Sequence, residues 1–296
     1  MIGVGGRDLS EDVGGLMAEA AVEALDRHAG TELILLVSKP PAPAVAEQLL
    51  GKATSKPVVA ALIGLERPVA AAPGVAVCNT LEQGVTESLD RLGRSGADPV
   101  GTSDTDVARL SAALHPRRRR MVGLFSGGTL AYEAMTIASR HIGPVFSNTP
   151  LDPGWGLPGP PEGHLCLDLG EEEFTRGRPH PMIDPEARLE LLRDQAYDPA
   201  VAAVLLDVVI GDGAHPDPAA VLAPVAAEVV ASGAAVVAYV LGTGRDPQDL
   251  HRQRSIMRQS GCVVAGTNAR AALAGAALVN RDPALVHHDL RADLAA

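Results

Sequence analysis

The sequence predicts an α/β protein with two domains, each a parallel sheet covered by helices on both faces. Short β-branched runs alternate with Ala-rich segments along the chain, which is typical of parallel strands joined by crossover helices. The length of 296 residues suits about two domains at roughly 150 residues each. The same order of strands and helices also occurs twice, in the first and the last third of the chain. Such a repeat predicts two related domains.

The first copy of the pattern lies in the first third of the chain. Three apolar runs predict buried strands at residues 33–37, 57–63 and 75–78. Pro40 and Pro41 predict the start of a helix of about a dozen residues, because proline is tolerated in a first helical turn. Thr80 is the predicted N-cap of a helix that ends near Leu92.

The second copy follows the same order. Its strands are predicted at residues 204–210, 234–241 and 262–264, and its helices begin at Asp217 and near Asp249 and Asn268. Leu33 and Val204 begin comparable strands (204 − 33 = 171), and Gly64 and Gly242 follow comparable strands (242 − 64 = 178). A spacing that holds to within a few residues indicates an internal duplication.

The predicted domains are residues 1–93 and 119–283, with a linker at residues 94–118 and a tail at residues 284–296. The linker is rich in Gly, Ser, Asp, Thr and Pro, and it ends with a short helix. The second copy opens with an additional strand, a glycine-rich turn and a helix between residues 121 and 140, for which the first copy has no counterpart. We therefore expect a first domain without its opening strand and helix, which either a partner chain supplies or an N-terminal truncation has removed.

Charge and composition exclude several classes of protein. The 25 basic and 36 acidic side chains give a net charge of −11, which argues against binding to nucleic-acid backbones. No run approaches the roughly 20 apolar residues of a membrane span, and the first residues do not resemble a signal peptide. Cys78, Cys166 and Cys262 are widely separated, and the histidines lack metal-ligand spacing. We expect a cytoplasmic protein without a metal site.

Four consecutive arginines, Arg117, Arg118, Arg119 and Arg120, precede the strand at residues 121–124. We interpret this run as a solvated clamp at a strand start. The alternative is a grip on an anionic ligand or partner.

A glycine-rich turn follows that strand and leads into a helix. It consists of Ser126, Gly127, Gly128 and Thr129. Glycines let the backbone approach a ligand closely, and the free N–H groups at a helix start favour anions. The turn has neither the lysine of a P-loop nor the dinucleotide fingerprint, and similar turns occur without any ligand. These residues are candidates for binding phosphate or substrate.

Two prolines bracket His180 in the segment at residues 177–185 and limit the directions in which its ring can point. Arg176, Arg178 and His180 could together hold a phosphate or a carboxylate. The alternative for His180 is a turn histidine that bonds to the backbone. Asp184 is the predicted N-cap of a helix beginning at Pro185.

Two further loops follow predicted strands of the second copy. Asp207 lies within an apolar strand and would need a partner if buried. His215 follows that strand and is either a candidate acid or base or a surface residue. The next strand is followed by Gly242, Thr243, Gly244 and Arg245. Because ligands of open α/β sheets bind outside the carboxyl ends of the strands, these residues are candidates for binding substrate or phosphate.

Several motifs, in order along the chain, resemble those of the FdrA family, a branch of the succinyl-CoA synthetase superfamily. They lie at residues 3–10, 37–41, 126–130, 177–185, 206–211 and 242–248. The resemblance implies two flavodoxin-like, succinyl-CoA ligase-like domains, here most of the first and all of the second. It also implies that the Rossmann domain preceding them in the family is missing, so that the chain is N-terminally truncated.

The resemblance implies two possible activities. The superfamily makes acyl-CoA through an acyl phosphate and a phosphohistidine, which follows the strand matching residues 58–63. Residues 65–74 contain no histidine. The FdrA branch is associated with an oxamate carbamoyltransferase of allantoin breakdown, which converts oxalurate and phosphate into oxamate and carbamoyl phosphate. CoA and ATP or ADP are implied cofactors of the superfamily, but no domain that binds them is recognisable in the sequence.

We expect an enzyme subunit with acyl-phosphate chemistry, more specifically carbamoyl transfer. The alternatives are an NDP-forming acyl-CoA synthetase (an acid–thiol ligase) and a non-catalytic scaffold. Amides of the glycine-rich turn would hold oxygens, Arg178 would neutralise charge, and His180 or His215 would move a proton or receive the transferred group. The expected partners are a small acid, phosphate or an acyl or carbamoyl phosphate, and other subunits of a hetero-oligomer, with neither nucleic acid nor membrane.

Overall fold

The structure, a computed structural model, describes residues 1–65, 68–94 and 104–291. The chain forms two compact units, Met1–Ala97 with Asp289–Ala296 and Asp98–His288. Within the described residues, the first unit has one sheet of three strands and the second has one sheet of six, and all the paired strands are parallel. The predicted class, an α/β protein with two parallel-sheet domains, is confirmed.

The described residues of the first unit form three helices and three strands. In chain order these are α1 (Leu16–Arg27), β1 (Ile34–Ser38), α2 (Pro43–Leu50), β2 (Val58–Leu62), β3 (Val75–Cys78) and α3 (Leu81–Arg91). The strand order is β1-β2-β3. The central strand β2 is buried along its whole length, whereas buried and more exposed residues alternate along β1. Thr80 caps α3 as predicted, since its side chain accepts the N–H of Gln83.

Two helices of this unit differ from the sequence prediction. Helix α1 was not predicted because its N-cap is Gly15, in the left-handed conformation and without a capping side chain. The cap comes instead from Asp8, whose buried carboxylate accepts the N–H groups of Met17 (3.1 Å) and Ala18 (2.8 Å). Helix α2 begins at Pro43, later than the predicted start at Pro40 and Pro41.

The second unit has the longer series of elements. These are α4 (Asp104–Ala113), β4 (Arg120–Phe125), α5 (Gly128–Ile142), β5 (Val145–Ser147), β6 (His164–Asp168), α6 (Glu172–Thr175), α7 (Glu186–Tyr197), β7 (Val201–Val209), α8 (Pro218–Ala231), β8 (Ala235–Leu241), α9 (Leu250–Gln259), β9 (Val263–Ala265) and α10 (Asn268–Asn280). The strand order is β5-β6-β4-β7-β8-β9. After β4 the chain crosses to one side for β5 and β6, and it returns to the other side for β7. The sheet therefore has a topological switch point between the carboxyl ends of β4 and β7.

Helices cover both faces of the six-stranded sheet. On one face, α7, α8 and α9 share a buried core with β4 and β7, to which Leu192, Leu222 and Met257 contribute. On the other face, α10 packs on α5 and β7. Gly275 of α10 permits this approach, because a Cβ there would lie 2.8 Å from Cδ2 of Leu205. The unit thus has the predicted three layers.

Three of the four consecutive arginines before and at the start of β4 bind backbone carbonyls within the second unit, namely Arg118, Arg119 and Arg120. Arg118 is buried, and its guanidinium donates to the carbonyls of Val201 (2.6 Å) and Ser232 (2.5 Å). Burial lowers the pKa of this guanidinium. Arg120 forms an ion pair with Asp198 (2.9 Å). These contacts agree with a clamp at the strand start, but Arg118 is not solvated as expected, and the contacts leave it no role in gripping an anion.

The second unit extends beyond the predicted residues 119–283. Helix α4, which falls within the predicted linker, packs on α10 and on the 3₁₀ turn Pro283–His287, which falls within the predicted tail. Arg281 holds α4 because its guanidinium donates to the carbonyls of Ser111 (3.2 Å) and Leu114 (2.9 Å). The glycine-rich part of the predicted linker, residues 95–103, and the end of the tail, residues 292–296, lie outside the described residues.

The described ranges contain no helix long and apolar enough to cross a membrane. Cys78, Cys166 and Cys262 are buried and form no disulfide. Burial raises the pKa of the Cys78 and Cys262 thiols to about 11. In the part of the chain that the structure describes, no group of three or more His, Cys, Asp or Glu side chains is placed to hold a metal ion.

Candidate functional site

The glycine-rich turn lies at the switch point of the six-stranded sheet. Strand β4 ends at Phe125, and the chain turns through Ser126 and Gly127 into α5. Gly127 is the N-cap, and no side chain among the described residues caps the helix. The first N–H groups of a helix have no acceptor within the helix and carry a partial positive charge. The amides of Gly128 and Thr129 are therefore placed to bind an oxygen of an anion.

Asp207 fixes the entry into this turn from the neighbouring strand β7. Its carboxylate accepts the backbone N–H of Ser126 at 3.0 Å and the Ser126 hydroxyl at 2.5 Å. Both side chains are buried. The carboxylate therefore has the partner that its place in an apolar strand required. In this arrangement Ser126 and Asp207 position the turn and do not face solvent.

Arg188 of α7 is the third member of this buried group, with Ser126 and Asp207, and it was not among the residues predicted from the sequence. Its Nη2 donates to Oδ1 of Asp207 (2.6 Å), to the Asp207 carbonyl (2.6 Å) and to the Leu124 carbonyl (2.8 Å). The side chain is only 3 % exposed. Burial lowers the pKa of the guanidinium, and Asp207 acts in the opposite direction. Its Nε is buried and has no hydrogen-bond partner among the described residues. The only available sequence signal was the need of Asp207 for a cation.

His180 lies at the same edge of the sheet. Its Nδ1 accepts the N–H of Met182 at 3.2 Å, so the neutral ring carries its proton on Nε2. A Cβ on Gly170 would lie 2.8 Å from this Nε2, 2.9 Å from the Ser126 carbonyl oxygen and 3.2 Å from Oδ1 of Asp168. These three polar atoms therefore surround one glycine beside the start of α5. The tautomer suits His180 to donate a hydrogen bond from Nε2, and it disfavours attack by that nitrogen on a transferred group.

Asp168 is a second buried carboxylate that the sequence analysis did not single out. It ends β6, and its Oδ1 accepts the N–H of Gly170 at 3.0 Å. The Asn148 side chain exchanges two hydrogen bonds with the Asp168 backbone, at 2.9 and 3.0 Å. Burial, helped by the charges of Glu171 and Asp168, raises the pKa of Tyr132 nearby. As with Asp207, the available signal was a carboxylate in an apolar strand.

His215 has the same turn as His180. Its ring Nδ1 accepts the backbone N–H of Asp217 at 3.0 Å. The backbone N–H of His215 donates to the Met182 carbonyl at 2.8 Å. His215 also lines a small internal cavity of about 10 Å³ beside Ser126 and Arg188. The loops that carry the two histidines are therefore bonded to each other.

The loop after β8 forms an exposed rim. Thr243, Gly244 and Arg245 are exposed, and the loop is closed by hydrogen bonds from the Thr243 N–H to Asp246 (2.5 Å) and from the Arg245 N–H to Thr243 Oγ1 (3.2 Å). Gly242 packs against Ile210, where a Cβ would clash. Buried Gln248 ties this loop to the preceding one through two bonds with the Gly211 backbone, at 3.0 and 2.9 Å. No hydrogen bond joins the rim to His180 or Arg178 in the described ranges.

Arg178 forms no hydrogen bond with His180 in the described part of the chain. It lies exposed beside a cleft of about 370 Å³ between the segment at residues 174–181 and the start of α7. Arg176 instead pairs with Glu172 at 2.9 Å. Helix α7 begins at Glu186, one residue later than predicted, and Asp184 accepts the N–H of Glu186 at 3.0 Å.

Residues 124–278, just over half of the chain, match the CoA-ligase family. The chain belongs to the CoA-ligase family. Its sequence is 35% identical over 285 residues to YahF of Escherichia coli (strain K12), an uncharacterized protein. That alignment covers 92% of this chain and 55% of YahF, so the chain spans about half the length of this relative. The crystal structure of PH0766 from Pyrococcus horikoshii OT3 aligns with 92% of this chain and 57% of that chain, at 14% identity and a TM-score of 0.38.

The CoA-ligase match includes every candidate site residue described above, from Ser126 to Arg245. The site therefore lies in the part of the chain that is shared with the family. The family is a broader assignment than the FdrA resemblance, which stays a prediction.

Proposed function

We propose that this CoA-ligase family chain is an FdrA-like enzyme subunit that transfers the carbamoyl group of oxalurate to phosphate. The products would be oxamate and carbamoyl phosphate. The observation that carries the proposal is the start of α5, which no side chain among the described residues caps and which the buried Asp207–Arg188 pair holds at the switch point. Such a helix start favours phosphate oxygens.

In the proposed reaction, a phosphate oxygen attacks the carbamoyl carbon and the bond from that carbon to the oxamate nitrogen breaks. The leaving nitrogen takes up one proton, and the hydrogen phosphate gives one up, so charge and atoms balance. The amides of Gly127, Gly128 and Thr129 would hold the phosphate oxygens. His180, with its N–H on Nε2, would donate a hydrogen bond to the oxygen of the carbamoyl group as negative charge develops there, while the proton of hydrogen phosphate passes to the leaving nitrogen.

The other candidate residues have supporting roles in this proposal. Arg178 would neutralise the carboxylate of the acid. His215 would hold the His180 loop through its bond to the Met182 carbonyl. Gly242, Thr243, Gly244 and Arg245 would form the outer rim of the site.

The second candidate is an acyl-CoA synthetase of the NDP-forming type, which the family assignment favours. In that case the chain would act with parts that bind CoA and ATP or ADP. The absence of histidine from residues 65–74 weighs against a phosphohistidine at that position and is the reason to prefer carbamoyl transfer. A non-catalytic scaffold is the third candidate.

We also propose that the chain works with partner subunits. In the second unit, β7 is paired on both edges, with β4 and β8. Within the described part of the first unit, the comparable strand β1 pairs only with β2, and it exposes Leu35 (40 %) and Val37 (46 %). An apolar edge strand is a site where another chain can add.

The test is to isolate the tagged chain with its bound partners and to supply oxalurate and phosphate. We expect carbamoyl phosphate to form, and turnover to disappear when the partners are removed. His180→Asn keeps an acceptor for the Met182 N–H but removes the Nε2 donor, so we expect turnover to fall about 10²–10³-fold.

The matched control for this variant is His251→Gln, at an exposed position in α9, which should leave turnover unchanged. CoA thioester formation with ATP, in place of carbamoyl phosphate, would restore the synthetase. Failure of both reactions with partners present would contradict the proposal and favour the scaffold.

A further inference from the structure

The cleft beside Arg178, here called the α7 cleft, is separate from the start of α5 but adjoins it. Its volume of about 370 Å³ is within the usual range for small-molecule sites. Its walls include Leu169, Phe174 and Pro181. Leu169 directly precedes Gly170 in the chain, and Pro181 directly follows His180. The cleft therefore lies next to the proposed site of transfer.

The polar groups of the α7 cleft have both signs of charge. Arg178 contributes N–H donors, and Asp184, Glu186 and Glu190 contribute carboxylates. Across the described residues, the side chains of Arg178, Glu186 and Glu190 form no ion pair or hydrogen bond with another side chain. The cleft therefore offers donors and acceptors that the protein itself does not use.

Arg188 forms the buried floor of the α7 cleft. It is almost fully buried, it lines both this cleft and the cavity of about 10 Å³ beside Ser126, and its Nε has no acceptor among the described residues. A buried donor without a partner is costly in a native protein unless a water, an ion or a ligand satisfies it.

The mixed charge restricts what can bind. Three carboxylates disfavour a small dianion, and the exposed Arg178 disfavours a simple cation. A ligand that matches both charges needs oxygen acceptors for Arg178 and N–H donors for the carboxylates.

We infer that the α7 cleft binds a small carboxylic acid that carries amide or ureido N–H groups. Its carboxylate would pair with Arg178, and its N–H groups would donate to Asp184 and Glu186. The inference rests on the proposed function in one respect, since oxalurate and oxamate belong to this class.

The test is calorimetric titration of the full chain with two probes of nearly the same shape, oxamate and oxalate, in the absence of phosphate. Oxalate has a carboxylate where oxamate has its amide. We expect oxamate to bind at least about tenfold more tightly, because the acidic side chains accept its N–H groups and repel a second carboxylate.

Variants locate the binding in the cleft. Arg178→Ala should weaken oxamate binding about tenfold, whereas Arg176→Ala, two residues away and paired with Glu172, should leave it unchanged. Glu186→Gln should reduce the preference for oxamate over oxalate. Undetectable oxamate binding, equal binding of both probes, or equal effects of the two arginine variants would overturn the inference.

The binding test and the activity test can fail separately. Oxamate binding that responds to Arg178→Ala, in a complex that makes no carbamoyl phosphate, would refute the proposed function and leave the cleft assignment standing. Turnover in the complex with oxamate affinity unaffected by Arg178→Ala would refute the cleft assignment alone.

Discussion

At the scale of single residues, the buried pair of Arg188 and Asp207 connects three elements. Asp207 lies in β7, Arg188 comes from α7, and their hydrogen bonds reach Leu124 and Ser126 at the end of β4. Removing one partner of a buried ion pair leaves the other as an uncompensated buried charge. The pair therefore affects both the stability of the second unit and the shape of the turn before α5.

We expect Arg188→Met to lower the free energy of unfolding by about 3–5 kcal/mol, measured by urea denaturation. Adding Asp207→Asn to this variant should recover part of the loss, because the remaining charge is removed while an acceptor for the Ser126 N–H is kept. Arg193→Met is the control in the same helix, since its pair with Glu228 is exposed and contributes less than about 1 kcal/mol. Similar losses for Arg188→Met and Arg193→Met would contradict this account.

The sequence predicted the candidate residues of this edge better than their contacts. Asp207 was expected to need a partner, but the partner lies 19 residues earlier, in a helix with two arginines. Which of them reaches the strand depends on how α7 packs, and a single sequence does not contain that information. The direction of the His180 ring depends likewise on the Met182 amide, and its place beside Asp168 depends on the neighbouring strand.

At the scale of whole elements, α8 and α9 are joined at their first turns. Asp217, just before α8, accepts hydrogen bonds from Arg252 (2.5 Å) and Gln253 (2.9 Å) of α9. The bond from Arg252 is the main cause that lowers the pKa of Asp217 from 3.8 to about 2. Because the folded pKa is below the ordinary value, this carboxylate stabilises the folded state above pH 3.8, and the stabilisation is lost as the pH falls towards about 2.

Arg252→Ala should therefore lower the urea midpoint at neutral pH, and its difference from the unmodified chain should shrink as the pH falls through this range. Arg258→Ala is the control, at an exposed position near the end of the same helix. A difference between Arg252→Ala and the unmodified chain that does not vary with pH would show that the ion pair is not its cause.

Most long elements were predictable from the sequence because their apolar runs or caps are local. Strands β2, β7 and β8 consist of Val, Ala and Leu residues apart from Asp207 in β7 and Tyr239 in β8, and α3 has its cap at Thr80. The short β5 and the polar-ended β6 were not predicted, since they are defined by pairing with β4 and with each other. The cap of α1 was missed for a similar reason, because it comes from a distant aspartate.

At the scale of the whole molecule, the two units share a strand pattern but differ in how their first repeated strand is covered. Strand β7 has β4 beside it, whereas β1 exposes Leu35 and Val37 within the described part of the first unit. If this edge receives another subunit, a charge placed on it should prevent pairing without disturbing the interior.

We expect Val37→Lys to reduce the recovery of partner subunits with the tagged chain, while its urea unfolding stays close to that of the unmodified protein. Tyr197→Lys, at an exposed position at the end of α7, should leave recovery unchanged. Equal recovery of partners with Val37→Lys would count against β1 as the contact.

The position of β4 in the middle of the six-stranded sheet also constrains the order of events during synthesis. Val122 pairs with Leu165 on one side and with Val204 on the other, 43 and 82 residues later in the chain. At about 5–20 residues per second, the ribosome needs about 4–16 s after β4 to complete the second of these neighbours. During that interval one long apolar edge of the nascent chain has no native partner. Slower translation or a binding chaperone should therefore affect the yield of this protein more strongly than that of a helical bundle of the same length.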